Sequence, residues 1–208
     1  MLNAEQLREI IENFIAEINN IFKAAVEDSS LITKQGYLEL LSHEGMVLEA
    51  YKDSKGIWTW GVGVTNNSGH IVYPRYKDNP QSIKKVIDIF KWLVETKYLP
   101  DVLEAFEGIS LTKEQLAAAV SFHYNTGAIK RAAWVKSFKA GNITQARKEI
   151  MNYCKPREII ERREKERNLF FDGVWSNDGK TNLYTRVRKP SYSPVWSSLK
   201  RIDISEEF

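Results

Sequence analysis

Apolar residues recur at Leu7, Ile11, Phe14, Ile18, Ile21 and Ala25, in alternating steps of four and three with charges between them. That spacing predicts a helix over residues 4–27, with Asn3 a suitable N-cap and Asp28-Ser29-Ser30 a short linker after it. The stripe is short for a free coiled coil, which leaves two expectations: a helix docked on the main body, or an oligomerisation or anchoring helix. A second helical run, Tyr37, Leu38, Leu40 and Leu41, stops at Glu44-Gly45. The pattern then turns to period two. A strand is expected around Leu48-Ala50-Tyr51, a turn at Asp53-Ser54-Lys55-Gly56, a return strand through Ile57-Trp58-Thr59-Trp60, and a glycine-rich exit, Gly61-Val62-Gly63-Val64-Thr65.

Residues 66–80 are rich in Asn, Gly and Pro and read as a loop. Ile83, Val86, Ile87, Phe90, Leu93 and Val94 predict a helix over 81–98, a long connector that Pro100 either stops or follows with a new element. Thr112 and Gln115 form a capping box for a helix ending at Gly127. Its alanines at 117, 118 and 119 suit a closely packed central position. Shorter helices are expected over 132–140, from a Thr144 cap to Tyr153, and over 158–171. From Asp172 onward Gly and Pro divide the chain into short pieces, and an irregular tail is expected to pack back through Trp175, Tyr184, Tyr192 and Trp196. The expected division is therefore an N-terminal extension (1–30), a main domain (31–171) and a C-terminal extension (172–208). The fold class is α+β and mainly helical, with one small sheet.

The 208 residues, 43% apolar, suffice for one sizeable core. Aromatics at 12% suit both that core and a surface on which sugar rings lie flat. The net charge of +3 favours an anionic partner without specifying it. The one basic cluster, Arg157 to Arg167, has Glu interleaved and reads as a salt-bridged helix face rather than a nucleic-acid patch. Cys154 stands alone, so no internal disulfide forms and a reducing compartment is expected. It has no base nearby in sequence and reads as a small buried residue. Three scattered histidines and one cysteine give no metal-ligand spacing, and no cofactor is expected. No apolar run is long enough to span a bilayer. No basic segment followed by an apolar one marks a signal peptide, so synthesis in the cytoplasm is expected.

Three residues near the predicted hairpin carry candidate chemistry. Cutting a glycosidic bond needs a protonated acid for the leaving oxygen and a second carboxylate that activates water or attacks carbon. Glu44 suits the first role: it ends an apolar helix, where the macrodipole disfavours negative charge, and has Met46 and Val47 beside it. Asp53 suits the second, in a polar turn between Lys52 and Lys55 that favours its ionised form. Thr59 shares side-chain parity with Asp53 and offers a hydroxyl to hold water. Each also has an ordinary reading: a solvated Glu, a turn-forming Asp and a β-favouring Thr. His43 is a candidate for tuning Glu44. His123 and Asn125 are candidates for lining a cleft, with helix capping the alternative for Asn125.

Glu-x8-Asp-x5-Thr as a string, with Tyr51-Lys52-Asp53 before the turn and Thr59-Trp60-Gly61-Val62-Gly63 after it, resembles the phage-type lysozymes. Leu111–Gly127, containing Phe122-His123-Tyr124-Asn125-Thr126-Gly127, and the Arg162-Arg163-x-x-Glu166 stretch are similar to later parts of the same family. The resemblance covers about residues 34–171. It implies a small β lobe and a larger helical lobe, joined by a long helix, with a cleft between them. It also implies hydrolysis of peptidoglycan between N-acetylmuramic acid and N-acetylglucosamine. Glu44 would be the general acid, Asp53 and Thr59 would position water for inversion, and Tyr124 and Asn125 would bind substrate. Such a protein acts on the cell wall and, lacking a leader, needs another factor to reach it. Two departures stand out: Trp60, where the family often has an aliphatic residue, expected only to widen the hydrophobic wall, and a long 66–80 loop expected to reshape the cleft. The alternatives are a non-catalytic peptidoglycan-binding module and an enzyme forming a 1,6-anhydro product; Asp53 argues against the second.

Overall fold

The computed structural model describes residues 4–208, with the side chains of Ala4, Leu7 and residues 19–29 outside the description. Helix α1 (Ala4–Ser29) matches the N-terminal pattern. Its stripe residues Ile11, Phe14 and Ile18 are exposed, so docking on the main body does not cover the face at those positions. Helix α2 (Lys34–Ser42) starts at Thr33, whose hydroxyl accepts from the Gly36 amide at 3.1 Å. Next come β1 (Gly45–Lys52), β2 (Trp58–Gly61) and β3 (Val64–Thr65). Strand β1 begins at Gly45 rather than near Leu48, because a C-terminal strand pairs with its first residues and extends it.

Helix α3 (Ile83–Leu93) runs through a π turn at Val94–Tyr98 into α4 (Leu99–Ala105). Pro100 lies in the first turn of α4, where its missing N–H removes no helical bond, so it opens that element. Helix α5 (Lys113–Thr126) has the predicted capping box, and Gly127 stops it with φ +59°. Helices α6 (Ala133–Lys139), α7 (Ile143–Glu149) and α8 (Ile160–Asp172) complete the helical lobe. Thr144 falls inside α7 rather than capping it; Asn142 precedes that helix without a side-chain cap bond.

The largest difference from expectation lies after Asp172. The segment is not irregular. It forms β4 (Lys180–Tyr184), β5 (Val187–Arg188), β6 (Ser193–Pro194) and β7 (Leu199–Asp203). The main sheet has the order β3-β2-β1-β4-β7. Strand β4 runs parallel to β1, with Gly45 opposite Asn182 and Val47 opposite Tyr184. Strands β2 and β7 are antiparallel to their neighbours. Thr181 and Leu183 point into the core while Asn182 and Tyr184 are half-buried, the period-two alternation of a strand with one face packed. Gly173 and Gly179 before β4, and Pro190 and Pro194 among the later pieces, hid that alternation.

Helix α5 is the centre of the helical lobe, with every residue from Leu116 to His123 buried. Its alanines do what the sequence suggested. A Cβ placed on Gly36 of α2 would meet the Ala117 methyl at 3.4 Å, so α2 and α5 approach closely only because both positions are small. Trp134 and Phe122, both 0% exposed, meet edge to face at 5.2 Å, and Phe106, Phe138 and Phe170 extend the cluster. Trp60 is fully buried, stacked on Tyr76 at 4.0 Å, with its indole N–H donating to the Leu48 carbonyl at 2.8 Å. It is a core residue of the β lobe, which fits the expected hydrophobic wall. The 66–80 loop packs onto that core: the Ala50 amide donates to the Tyr76 carbonyl at 2.8 Å.

Candidate active site

Glu44 occupies the junction between α2 and β1, its amide donating to the Leu41 carbonyl at 3.3 Å. The side chain is half-buried, but its setting is not the apolar one expected. Arg162 of α8 reaches across the lobe and donates Nη1 to Glu44 Oε1 at 2.6 Å. A guanidinium at that distance stabilises a negative charge, opposite to the effect of the helix end. Glu44 Oε2 makes no hydrogen bond among the described residues and remains open.

Arg162 is fixed in turn. Its Nε donates to Glu166 at 2.9 Å, and its Nη2 to the Ser121 carbonyl at 3.1 Å. Ser121 Oγ donates to the same Glu166 oxygen at 2.6 Å. Burial alone would lower the Arg162 guanidinium, but the charges of Glu44 and Glu166 more than reverse this and hold it above its ordinary value. Arg163 pairs with the other Glu166 oxygen. It is completely buried, with its guanidinium over the Phe122 ring at 4.5 Å. The basic cluster is therefore partly an internal network rather than a solvated face; only pairs such as Lys165–Glu161 fit the surface reading.

Asp53 opens the β1–β2 turn. Its Oδ1 accepts from the amides of Lys55 at 2.8 Å and Ile57 at 2.9 Å, an Asx turn that locks the carboxylate in place. Oδ2 makes no hydrogen bond among the described residues. The turn-forming reading and the chemical reading thus fall on different oxygens of one side chain. Thr59 is 4% exposed and sits opposite Tyr51 in the β1–β2 register. Its hydroxyl donates to the Ile57 carbonyl at 3.1 Å, which leaves its lone pairs to accept from a neighbour.

Tyr51 connects the two carboxylates electrostatically. Burial pushes its phenol up, and the charges of Asp53, Glu44 and Tyr184 push it further, to about 12. Tyr98 is likewise raised by burial and then by Glu44. Tyr124 is raised well above its ordinary value, first by burial, then by Glu44, Tyr98 and Tyr51, with Arg162 opposing. Three neutral phenols therefore flank Glu44. The Tyr124 hydroxyl donates to the Val62 carbonyl, tying α5 to the glycine-rich exit of the β lobe. A Cβ on Gly63, where φ is +72°, would stand 3.2 Å from that hydroxyl. Asn125 is exposed, and its Oδ1 accepts from Arg163 at 2.6 Å.

His43 does not touch Glu44. Its Nε2 lies 3.4 Å from Glu39 without hydrogen-bond alignment. Glu39, 1% exposed, accepts from the amides of Ser176 and Asn177 and from both of their side chains. Burial pushes its carboxyl up, but these donors and His43 outweigh that and lower it to about 2. This latch fastens the C-terminal segment to the helix that ends beside Glu44. His123 Nε2 sits 3.1 Å from Asp101, with burial lowering the imidazole against that carboxylate's pull. The Cys154 thiol is half-buried and pushed up by burial.

Sequence reasoning did not assign Arg162, Tyr51 or Tyr98 to the site. Arg162 and Tyr51 were visible only as parts of a motif, and Tyr98 gave no signal beyond an aromatic at the end of a helix. Among the described residues, no group of His, Cys, Asp and Glu is arranged to hold a metal ion, and no helix is long and apolar enough to cross a membrane.

Residues 41–166 match the family model described as phage lysozyme. Among solved structures, the endolysin from Escherichia coli O157:H7 phage FAHEc1 is similar at 24% identity and a TM-score of 0.60, over 70% of this chain and 96% of that one. A variant of P22 lysozyme gives 25% identity and 0.57, over 67% and 97%. The muramidase domain of SpmX from Asticaccaulis excentricus gives 21% and 0.57, over 67% and 96%. No curated protein shows a significant match to the chain.

Proposed function

The chain belongs to the phage lysozyme family and is a glycoside hydrolase acting on cell-wall peptidoglycan; from that premise we propose how its residues divide the work. The bond cut is the β-1,4 link from N-acetylmuramic acid to N-acetylglucosamine. Glu44 gives a proton from Oε2 to the leaving oxygen while Arg162 holds Oε1. Asp53 Oδ2 takes a proton from a water that attacks the anomeric carbon on the opposite face, and Thr59 Oγ1 accepts a hydrogen bond from the water's other hydrogen, which stays on the new hydroxyl. The oxygen of that water enters the new reducing end, and the configuration inverts. Tyr124 contributes its ring edge, and Asn125 its amide nitrogen, to substrate binding. The catalytic unit spans residues 31–171, braced by 172–208.

One observation carries this reading: each carboxylate has one oxygen held by the protein and the other open, and both act on the same phenol, Tyr51. A pure binding module has no need of two half-open acids acting on one phenol, which disfavours the non-catalytic alternative. The test is Glu44→Gln. It removes the transferable proton while keeping an oxygen for Arg162. Clearing of cell-wall suspensions is expected to fall by at least about a hundredfold, with the thermal midpoint near that of the wild type. Wild-type clearing by this variant would remove Glu44 from the mechanism.

A further inference from the structure

The C-terminal segment lies outside the family match yet adjoins the proposed active site. Pairing β4 with the first residues of β1 puts Tyr184 over Gly45, the residue after Glu44; a Cβ on Gly45 would stand 2.9 Å from that ring. Tyr184 also acts electrostatically on Tyr51, as do Glu44 and Asp53. Against Tyr184 stands Trp196, edge to face at 5.2 Å and 88°. Trp196 is 69% exposed, the most exposed large apolar side chain among the described residues. Its turn is pinned from both sides: the Arg186 amide donates to Ser198 Oγ at 3.1 Å, and the Val195 amide to the Arg186 carbonyl at 2.9 Å. Arg186 and Lys200 are exposed on the same segment.

The edge-to-face contact with Tyr184 fixes the angle of Trp196 and leaves most of its ring in water. Its flat face suits the C–H face of a pyranose ring, and the exposed cations of the same segment suit the lactyl carboxylate of peptide-free N-acetylmuramic acid and the stem-peptide carboxylates where a peptide is attached. We propose that Tyr184 and Trp196 form an accessory platform for the glycan strand, extending the cleft on the Glu44 side beyond the residues that react. The proposal rests on the peptidoglycan reading above. A bound strand then runs from the catalytic groove onto the added edge of the sheet, which gives the extension a reason to be a rigid pair of strands.

The test uses the full chain carrying Glu44→Gln, which binds without turnover, and peptide-free glycan strands as the probe, with affinity measured by calorimetry. Adding Trp196→Ala is expected to weaken binding about three- to tenfold, the worth of one aromatic stacking contact. Trp196→Phe is expected to recover most of that loss. Thermal melting of the Ala variant should match the parent, since the ring is exposed. Unchanged affinity in the Ala variant overturns the platform while leaving hydrolysis standing. If wild-type protein fails to clear cell walls but Trp196→Ala still weakens binding, the hydrolytic reading falls and the platform stands.

Discussion

Glu39 offers the sharpest energetic test of how the C-terminal segment is attached. Burial raises its carboxyl, but His43 and the donors of Ser176 and Asn177 outweigh this and lower it from an ordinary 4.5 to about 2 in the folded chain. A lowered folded value means the ionised form is preferred by the native state. The stabilisation is therefore complete above the unfolded value and is lost as pH falls through the folded one. At 1.36 kcal/mol per unit, the shift is worth about 3 kcal/mol at neutral pH, about 1.4 at pH 3 and less than half a kcal/mol at pH 2. Glu39→Gln keeps the shape but cannot accept from all four donors as an anion. In urea unfolding it should cost about 2–3 kcal/mol at pH 7, and the gap to wild type should close as pH drops from 5 to 2. Equal stability at pH 7, or a gap that does not change with pH, would refute the latch. Because α2 leads directly to Glu44, the variant should also lose activity on cell walls before it unfolds.

Three further outcomes follow from the site. Arg162→Met leaves Glu166 and Glu44 without their shared cation; about 3–5 kcal/mol of stability should be lost, read by denaturant midpoint, together with cell-wall clearing. Tyr124→Phe removes only the hydroxyl that holds the Val62 carbonyl; it should cost about 1–2 kcal/mol, and activity should fall less than for Glu44→Gln. Asp53→Asn keeps a carbonyl oxygen for the Lys55 and Ile57 amides, so its melting temperature should stay close to wild type while clearing collapses.

The sequence made the hairpin and α5 easy to read because their signals are local. A capping box, a run of alanines and a turn with Asp and Gly each specify geometry within a few residues. Glu44, Asp53 and Thr59 stood out as candidates for the same reason, being spaced along one helix, turn and strand. What escaped was long-range. Arg162 lies 118 residues from the carboxylate it holds, and nothing in its own segment distinguishes it from Arg163, which turns inward to Glu166 and Asn125 instead. Strands β4 and β7 escaped because each is five residues long, with Pro and Ser between them, and their pairing partners lie far away or across an intervening turn. The wall that Trp60 was expected to widen took shape only with its partner Tyr76, which lies in the breaker-rich loop.

The account depends on water, not an internal hydroxyl of the sugar, attacking the anomeric carbon, and product analysis tests that most directly. Digestion of peptide-free glycan strands in heavy-oxygen water, followed by mass spectrometry, should give N-acetylmuramic acid reducing ends that each carry one heavy oxygen. Products ending in an internal 1,6-anhydro ring with no label would contradict it.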